Sequence, residues 1–383
     1  MKIALVHKRL DLNGGTERDL FRTAEGLRDV GHDVHLFCGE YRVAAPLGVT
    51  PHRIPAIRLG RTAQLLSLAL RLPKIIEQAG CDLVLSFDRI PDCDVLRCGG
   101  GTHRGFLSRL GEEGGALGRL WQNTSAYHQT LLALEKRQYL SKRVKKIVAV
   151  SAEVKRDIMF NYGVPSDRIS VLYNGVDHRR FHPEKRAQSG QSVRARWNIP
   201  SHAPLVLFIG SGFRRKGLDR LLSIWNSPKL VSVYLLVVGS DARLGRYRAW
   251  ADSIRPGRIV FAGRQDKVEN YYGAADMVAL PSLQEAFGNV VLEALASGLP
   301  VLVSRAVGAA EILRGRLAGG IVDRPGDAAE LSAKLVSLLD KAGEESLRQE
   351  ARSIGEAYSW ERHFLELDAL LREVKASPVG RVS

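Results

Sequence analysis

Pro281-Ser282-Leu283-Gln284-Glu285-Ala286-Phe287-Gly288-Asn289-Val290-Val291-Leu292-Glu293-Ala294 is the stretch that decides the fold. The apolar run 277–280 before it has strand length, and the residues after Gly288 follow a helical pattern. A strand feeding a helix through a short loop is one βα unit. Gly288 and Asn289 stand where the helix begins, so unsatisfied backbone N–H groups there can face an anion. Glu285 precedes the helix and Glu293 lies a turn or more inside it, so two carboxylates can enter one cleft at different depths. A carboxylate accepts from two hydroxyls at once, which suits a sugar or a ribose. The alternative for Glu293 is a solvated glutamate. Leu292 and Ala294 beside it, on a helix that reads as buried, argue against that.

The same alternation runs in both directions. Strands are expected at 204–210, 233–238, 259–262 and 300–303, with helices at 218–225, 289–297 and 328–341. In the first half, strands are expected at 2–7, 34–37, 83–87, 146–150 and 169–173, with helices at 17–29, 62–78, 121–142 and 152–161. Strands alternating with helices argue for parallel sheets. The expected fold is α/β, with two Rossmann-like domains facing a central cleft and ligands at the carboxyl ends of the strands. The N-terminal domain would span 1–173, joined by the C-terminal helix 360–383, and the second domain 174–359. The polar, basic segment 184–198 reads as a surface connection.

The 383 residues suit two domains, and a formal charge of +15 favours an anionic partner. The cysteines Cys38, Cys81, Cys93 and Cys98 lack zinc spacing and fit a reduced cytosolic setting. The N-terminal apolar run meets His7-Lys8-Arg9 at once, so it reads as a strand and not as a signal peptide. No stretch approaches the roughly 18 apolar residues of a membrane span.

Other candidates are more local. Arg215-Lys216 follows an apolar strand ending in Gly210 and can neutralise a diphosphate; a solvated basic turn is the alternative. Gly14-Gly15 after the first strand lets a backbone approach phosphates, or is a plain turn. It is not GxGxxG, which counts against a dehydrogenase. His103 after Gly99-Gly100-Gly101-Thr102 is either a sugar-positioning group or a surface histidine. Asp92-Cys93-Asp94 has the DxD form of a metal site, but the rest of the chain lacks the matching pattern, so no metal is expected; Asp94 is left as a candidate for the acceptor side. The stretch 104–146 carries nine Lys/Arg against three Glu, with Phe106, Leu107, Leu110, Leu117, Leu120 and Trp121 interleaved. That suits either an anionic membrane surface or a basic solvated loop. No nucleic-acid-binding pattern is present.

The segment 281–304, with its Glu–seven–Glu spacing, resembles the signature of family 4 glycosyltransferases. The resemblance extends to Gly14-Gly15, Val148-Ala149-Val150-Ser151, Asn174-Gly175-Val176-Asp177 with Phe181, and Gly210 to Lys216-Gly217. Within that family, 210–220, 261–266 and 87–95 are similar to segments of the glucosyltransferases of the lipopolysaccharide core. The resemblance implies the GT-B fold and a retaining transfer of a hexose, glucose first, from a UDP-sugar to a glycolipid acceptor such as the lipopolysaccharide core. The setting it implies is the cytoplasmic face of the inner membrane. Glu293 would hold the ribose hydroxyls, Glu285 the donor sugar, Arg215 and Lys216 the diphosphate. Gly14, Gly15, Phe287, Gly288, Asn289 and Val290 would line the donor, and Arg264 part of the base pocket. Family members carry an arginine slightly before the lysine; here Ser211-Gly212-Phe213 leaves that place to Arg214 or Arg215. His103 would lie near the reaction centre. The nucleotide sugar is a substrate, and no cofactor or metal is expected. The alternatives are another donor and acceptor (GDP-mannose or UDP-N-acetylglucosamine, capsule or exopolysaccharide), a nucleotide-sugar epimerase or hydrolase, and a non-catalytic glycan- or lipid-binding partner.

Overall fold

The computed structural model describes residues 1–12, 15–55, 60–89, 93–108 and 125–377. The chain forms two compact units, Met1–Tyr173 with Glu361–Ser383, and Asn174–Trp360.

The first unit is built on seven parallel strands: β1 (Lys2–Leu10), β2 (Asp33–Tyr41), β3 (Thr50–Arg53), β4 (Leu83–Ser86), β5 (Val95–Cys98), β6 (Lys146–Ala149) and β7 (Ile169–Val171), in the order β3-β2-β1-β4-β5-β6-β7. Ile3, Leu5, Leu36 and Leu85 are buried because helices cover both faces, which is why these strands read as unbroken apolar runs. The helix Gly15–Asp29 turns Leu20, Ala24 and Leu27 into the same core, and the C-terminal helix Trp360–Ala376 adds Leu367, Leu371 and Val374. That last helix is fastened by polar contacts as well. His363 Nδ1 donates to the Tyr173 carbonyl (2.6 Å), and His32 Nε2 meets Asp368 Oδ1 (2.6 Å).

The second unit holds six parallel strands: β8 (Leu205–Ile209), β9 (Tyr234–Val238), β10 (Ile259–Gly263), β11 (Met277–Leu280), β12 (Val301–Ser304) and β13 (Ile321–Val322), ordered β10-β9-β8-β11-β12-β13. Counted from its own first strand, each sheet begins 3-2-1-4-5-6, the doubly wound order, and the strand direction of travel reverses at β1/β4 and at β8/β11. Ligands of such sheets bind beyond the carboxyl ends at that reversal.

Three strands and one connection differ from expectation. β3 (Thr-Pro-His-Arg) is a polar edge strand with no apolar pattern, and β13 is two residues long. β5 (Val-Leu-Arg-Cys) is broken in sequence by Arg97, yet its guanidinium is buried on Asp19. The segment 184–198 is not a surface connection. It includes the helix Gln191–Arg196, where Val193 and Arg194 are buried and Arg194 donates to the carbonyls of Ala274 (2.8 Å) and Ala203 (2.7 Å). Three arginines in fifteen residues look solvated in sequence; one of them ties carbonyls inside the unit.

Candidate active site

In the second unit, the sequence-predicted residues gather beyond the carboxyl ends of β8, β11 and β12. Gly210 follows β8, and a Cβ there would stand 2.1 Å from Lys216 Cδ, so the lysine stem lies across a bare backbone. The short helix Phe213–Lys216 is held by Asp241 Oδ2, which accepts from the Phe213 N–H (2.8 Å). Gly217 turns the chain at φ 86, where a Cβ would meet the Pro281 carbonyl at 2.1 Å. The Leu283 N–H donates to the Arg215 carbonyl (2.9 Å), joining this turn to the loop after β11.

Lys216 Nζ lies 2.9 Å from Glu285 Oε1, and the Arg215 guanidinium pairs with the same oxygen. Of the two arginines left open by the sequence, it is Arg215 that makes this contact. The backbone of Glu285 is itself clamped: its N–H donates to Ala306 (3.2 Å) and its carbonyl accepts from Gly308 (3.0 Å). Phe287 is buried beneath the loop, and its carbonyl accepts from Ala309 (2.8 Å). Gly288 has φ 93, which a side chain rarely adopts, and a Cβ would also press Val307 Cγ1 at 2.8 Å. The helix Asn289–Ala296 starts at once, with Val290 half-buried. Asn174 Nδ2 donates to Asn289 Oδ1 (2.8 Å). Deeper in that helix, Glu293 Oε2 accepts from the buried Tyr272 hydroxyl (2.6 Å). Arg264, exposed after β10, donates to Ser240 Oγ after β9 (2.8 Å).

Two cations beside one carboxylate, in front of a helix start, make a surplus of positive potential. An anion is the species this arrangement suits. Gly210→Ala tests the seating of the lysine. The methyl group must displace the Lys216 stem, at a backbone φ of 152 that a side chain rarely adopts, and anion affinity is expected to fall about tenfold. Unchanged affinity for a nucleoside diphosphate by calorimetry would show that Lys216 reaches it by another path.

In the first unit, His103 is buried, which removes the surface-histidine alternative. Gly101 (φ 78) turns the chain after β5, and Asp157 Oδ2 accepts from the Thr102 N–H (2.7 Å). Glu135, almost fully buried, accepts from the His103 N–H (2.7 Å to Oε2), Arg89 Nε (2.9 Å) and the Tyr162 hydroxyl (2.6 Å). His103 Nε2 lies 3.0 Å from His128 Nδ1. Burial, aided by the charge of Arg89, lowers the His103 pKa to about 4, so its ring is neutral at pH 7. Burial does the same to His363, also to about 4.

Both histidines therefore take up a proton when the unit unfolds between pH 4 and 6.5. Their contribution to stability is complete above pH 6.5 and is lost as pH falls toward 4. The unfolding midpoint should drop across that window, and His363→Gln should flatten the slope. A midpoint independent of pH there would contradict the assignment.

Some expected residues do not join a site. Asp94 precedes β5, at the amino edge of the sheet, where its Oδ2 accepts from the Val84 N–H (2.8 Å). It is a backbone tie and not a lining of the acceptor side. Cys93 is buried, and Asp92 lies outside the described residues, as does Gly14. Gly15 begins the helix Gly15–Asp29, and a Cβ there would touch nothing within 4 Å. In the basic stretch 104–146, Phe106 is half exposed, while 109–124, with Leu110, Leu117, Leu120 and Trp121, lies outside the described residues. Among those described, no helix is long and apolar enough to cross a membrane. Sequence reasoning missed Tyr272, Glu135, His128 and the bond from Asn174, since each acts through a partner distant in sequence.

The two doubly wound sheets and the anion-suited turn fit a glycosyltransferase of the GT-B type. The models of two families match, Glycosyltransferase Family 4 over residues 13–180 and Glycosyl transferases group 1 over residues 203–341, and the chain belongs to these glycosyltransferases. It is 27% identical over 337 residues to the lipopolysaccharide glucosyltransferase WaaG of Escherichia coli K12, covering 86% of this chain and 87% of WaaG. The crystal structure of WaaG, a glycosyltransferase involved in lipopolysaccharide biosynthesis, superposes with a TM-score of 0.80 at 22% identity, covering 96% of this chain and 99% of that one. Anabaena HepE, solved in complex with UDP-glucose, has a TM-score of 0.68 at 18% identity, covering 97% of this chain and all of HepE.

Proposed function

We propose that the enzyme transfers glucose from UDP-glucose, with retention of anomeric configuration, to a glycolipid acceptor, a sugar of the lipopolysaccharide core being the foremost candidate. The carrying observation is the convergence of Arg215 and Lys216 on Glu285 in front of the helix Asn289–Ala296. A diphosphate entering there competes with Glu285 for both cations and releases that carboxylate toward the sugar hydroxyls. Glu293 takes the ribose hydroxyls, Arg264 borders the base, and Phe287, Gly288, Asn289 and Val290 shape the backbone around the phosphates. Gly14 and Gly15 allow close approach to the phosphates, and His103, held neutral, positions the sugar. The likeness to WaaG, and HepE's UDP-glucose complex, support this choice of donor and acceptor.

As the bond from the anomeric carbon to the phosphate oxygen breaks, its electron pair stays on UDP and charge grows there. Fixed cations and amide N–H groups stabilise that charge, so no metal ion is needed. The acceptor oxygen attacks the same face, and the leaving phosphate takes its proton. A double displacement would need a carboxylate nucleophile. Glu135 and Asp157, which lie against the His103 turn, already accept bonds from the backbone N–H groups of His103 and Thr102. The work takes place on an anionic membrane surface at the cytoplasmic face of the inner membrane, with no nucleic-acid partner.

The test is a panel of nucleotide sugars by thermal shift, where a ligand at 100 times its Kd stabilises by about 2.7 kcal/mol. UDP-glucose should raise the midpoint, transfer should persist in chelator, and the product should keep the donor's configuration. If no UDP-sugar raises the midpoint, this reading fails.

A further inference from the structure

We infer that Tyr272 is the positioning residue for Glu293: its hydroxyl, 2.6 Å from Glu293 Oε2, fixes the carboxylate in the orientation that receives the ribose of the donor. The inference rests on the donor reading above. Tyr272 touches no substrate in this scheme and acts through Glu293 alone.

The geometry is strict at both ends. Tyr272 is fully buried in the helix Glu269–Ala274, and its ring meets that of Phe181 edge-on, with centroids 5.4 Å apart at 89°. Four residues on, Asp276 Oδ2 accepts from the Leu205 N–H (2.9 Å) and pairs with buried Arg194 (3.0 Å), which anchors the end of that helix to β8. The phenol therefore has little freedom, and its hydroxyl stays a donor because burial beside a carboxylate resists ionisation. Glu293, by contrast, carries three rotatable side-chain bonds and is half-buried on the helix Asn289–Ala296. A carboxylate that must accept two neighbouring hydroxyls in fixed directions gains from losing that rotation before the ligand arrives. Charge-assisted hydrogen bonds are the strong kind, so a single hydroxyl can do this.

The experiment compares the wild type, Tyr272→Phe, Glu293→Gln and the double variant, with UDP-glucose and its 2′-deoxyribose analogue as donors. Tyr272→Phe keeps the ring and should raise the KM for UDP-glucose about tenfold, with kcat within about twofold. It should also shrink the wild-type preference for the ribose donor to a few-fold, because the misoriented carboxylate no longer reads that hydroxyl. In the Glu293→Gln background, which leaves no buried charge unpaired, adding Tyr272→Phe should change little. The inference is overturned if Tyr272→Phe leaves KM unchanged, weakens both donors equally, or adds its full effect to that of Glu293→Gln. Should Glu293→Gln itself leave donor KM unchanged, the ribose reading of Glu293 fails first, independently of Tyr272.

Discussion

Lys216→Ala is expected to lower kcat/KM for the nucleotide-sugar donor about a thousandfold, most of it in kcat. Two observations set that size. The lysine is mostly buried, with 12% of its side chain exposed against 50% for Arg215, so its charge acts in a medium that screens it far less. It is also prefixed: the stem crosses Gly210, and Nζ stands 2.9 Å from Glu285 Oε1. A preorganised cation stabilises charge that develops only as the leaving phosphate departs, which is where loss of one such group costs about 3–4 kcal/mol. Arg215→Ala should cost less, about tenfold to a hundredfold, because water and salt screen half of that side chain. The order of the two variants is the sharper result. Equal losses, or a Lys216→Ala enzyme within tenfold of wild type, would mean that the diphosphate sits elsewhere. Steady-state kinetics at two ionic strengths separate the cases, since the Arg215 effect alone should shrink with salt.

The legible part of this protein is the part whose chemistry is contiguous in sequence. The loop from Pro281 to Glu293 carries strand end, turn glycine, helix start and both acids within a few residues, and its structure follows that reading. The buried strands were legible for a related reason. A parallel strand covered on both faces is apolar at every position, as in Leu205–Ile209, and no polar face confuses its period. What stayed hidden depends on partners far along the chain. Arg97 interrupts β5 in sequence, and the carboxylate that pairs with it is Asp19, 78 residues earlier. Glu135 reads as one charge in a basic stretch, and its role of holding the His103 N–H appears only when the two segments meet. Arg194 looked solvated because arginines usually are. The bare edge strand Thr50–Arg53 has no burial pattern to show, since its side chains are mostly exposed.

Asp19→Ala is expected to destabilise the first unit by about 3–5 kcal/mol. Arg97 Nε donates to Asp19 Oδ2 (2.7 Å) and Nη2 to Oδ1 (3.3 Å), a two-pronged contact with the arginine side chain wholly buried. Guanidinium does not lose its proton at any working pH, so removal of the aspartate takes its two-pronged carboxylate away from a cation held in the core. The pair joins the helix Gly15–Asp29 to β5, and β5 leads through the glycines to Thr102 and His103. The loss is therefore expected to reach the His103 turn as well as the midpoint, which should fall by about 6–20 °C. A double change, Asp19→Leu with Arg97→Met, removes both charges together and should recover most of the loss, because an apolar pair of similar volume avoids the desolvation that the ion pair must offset. If Asp19→Ala alone unfolds within about 1 kcal/mol of wild type, water or another acid must reach Arg97. If the double variant is no better than the single one, the pair's value lies in its geometry and not in cancelling a buried charge.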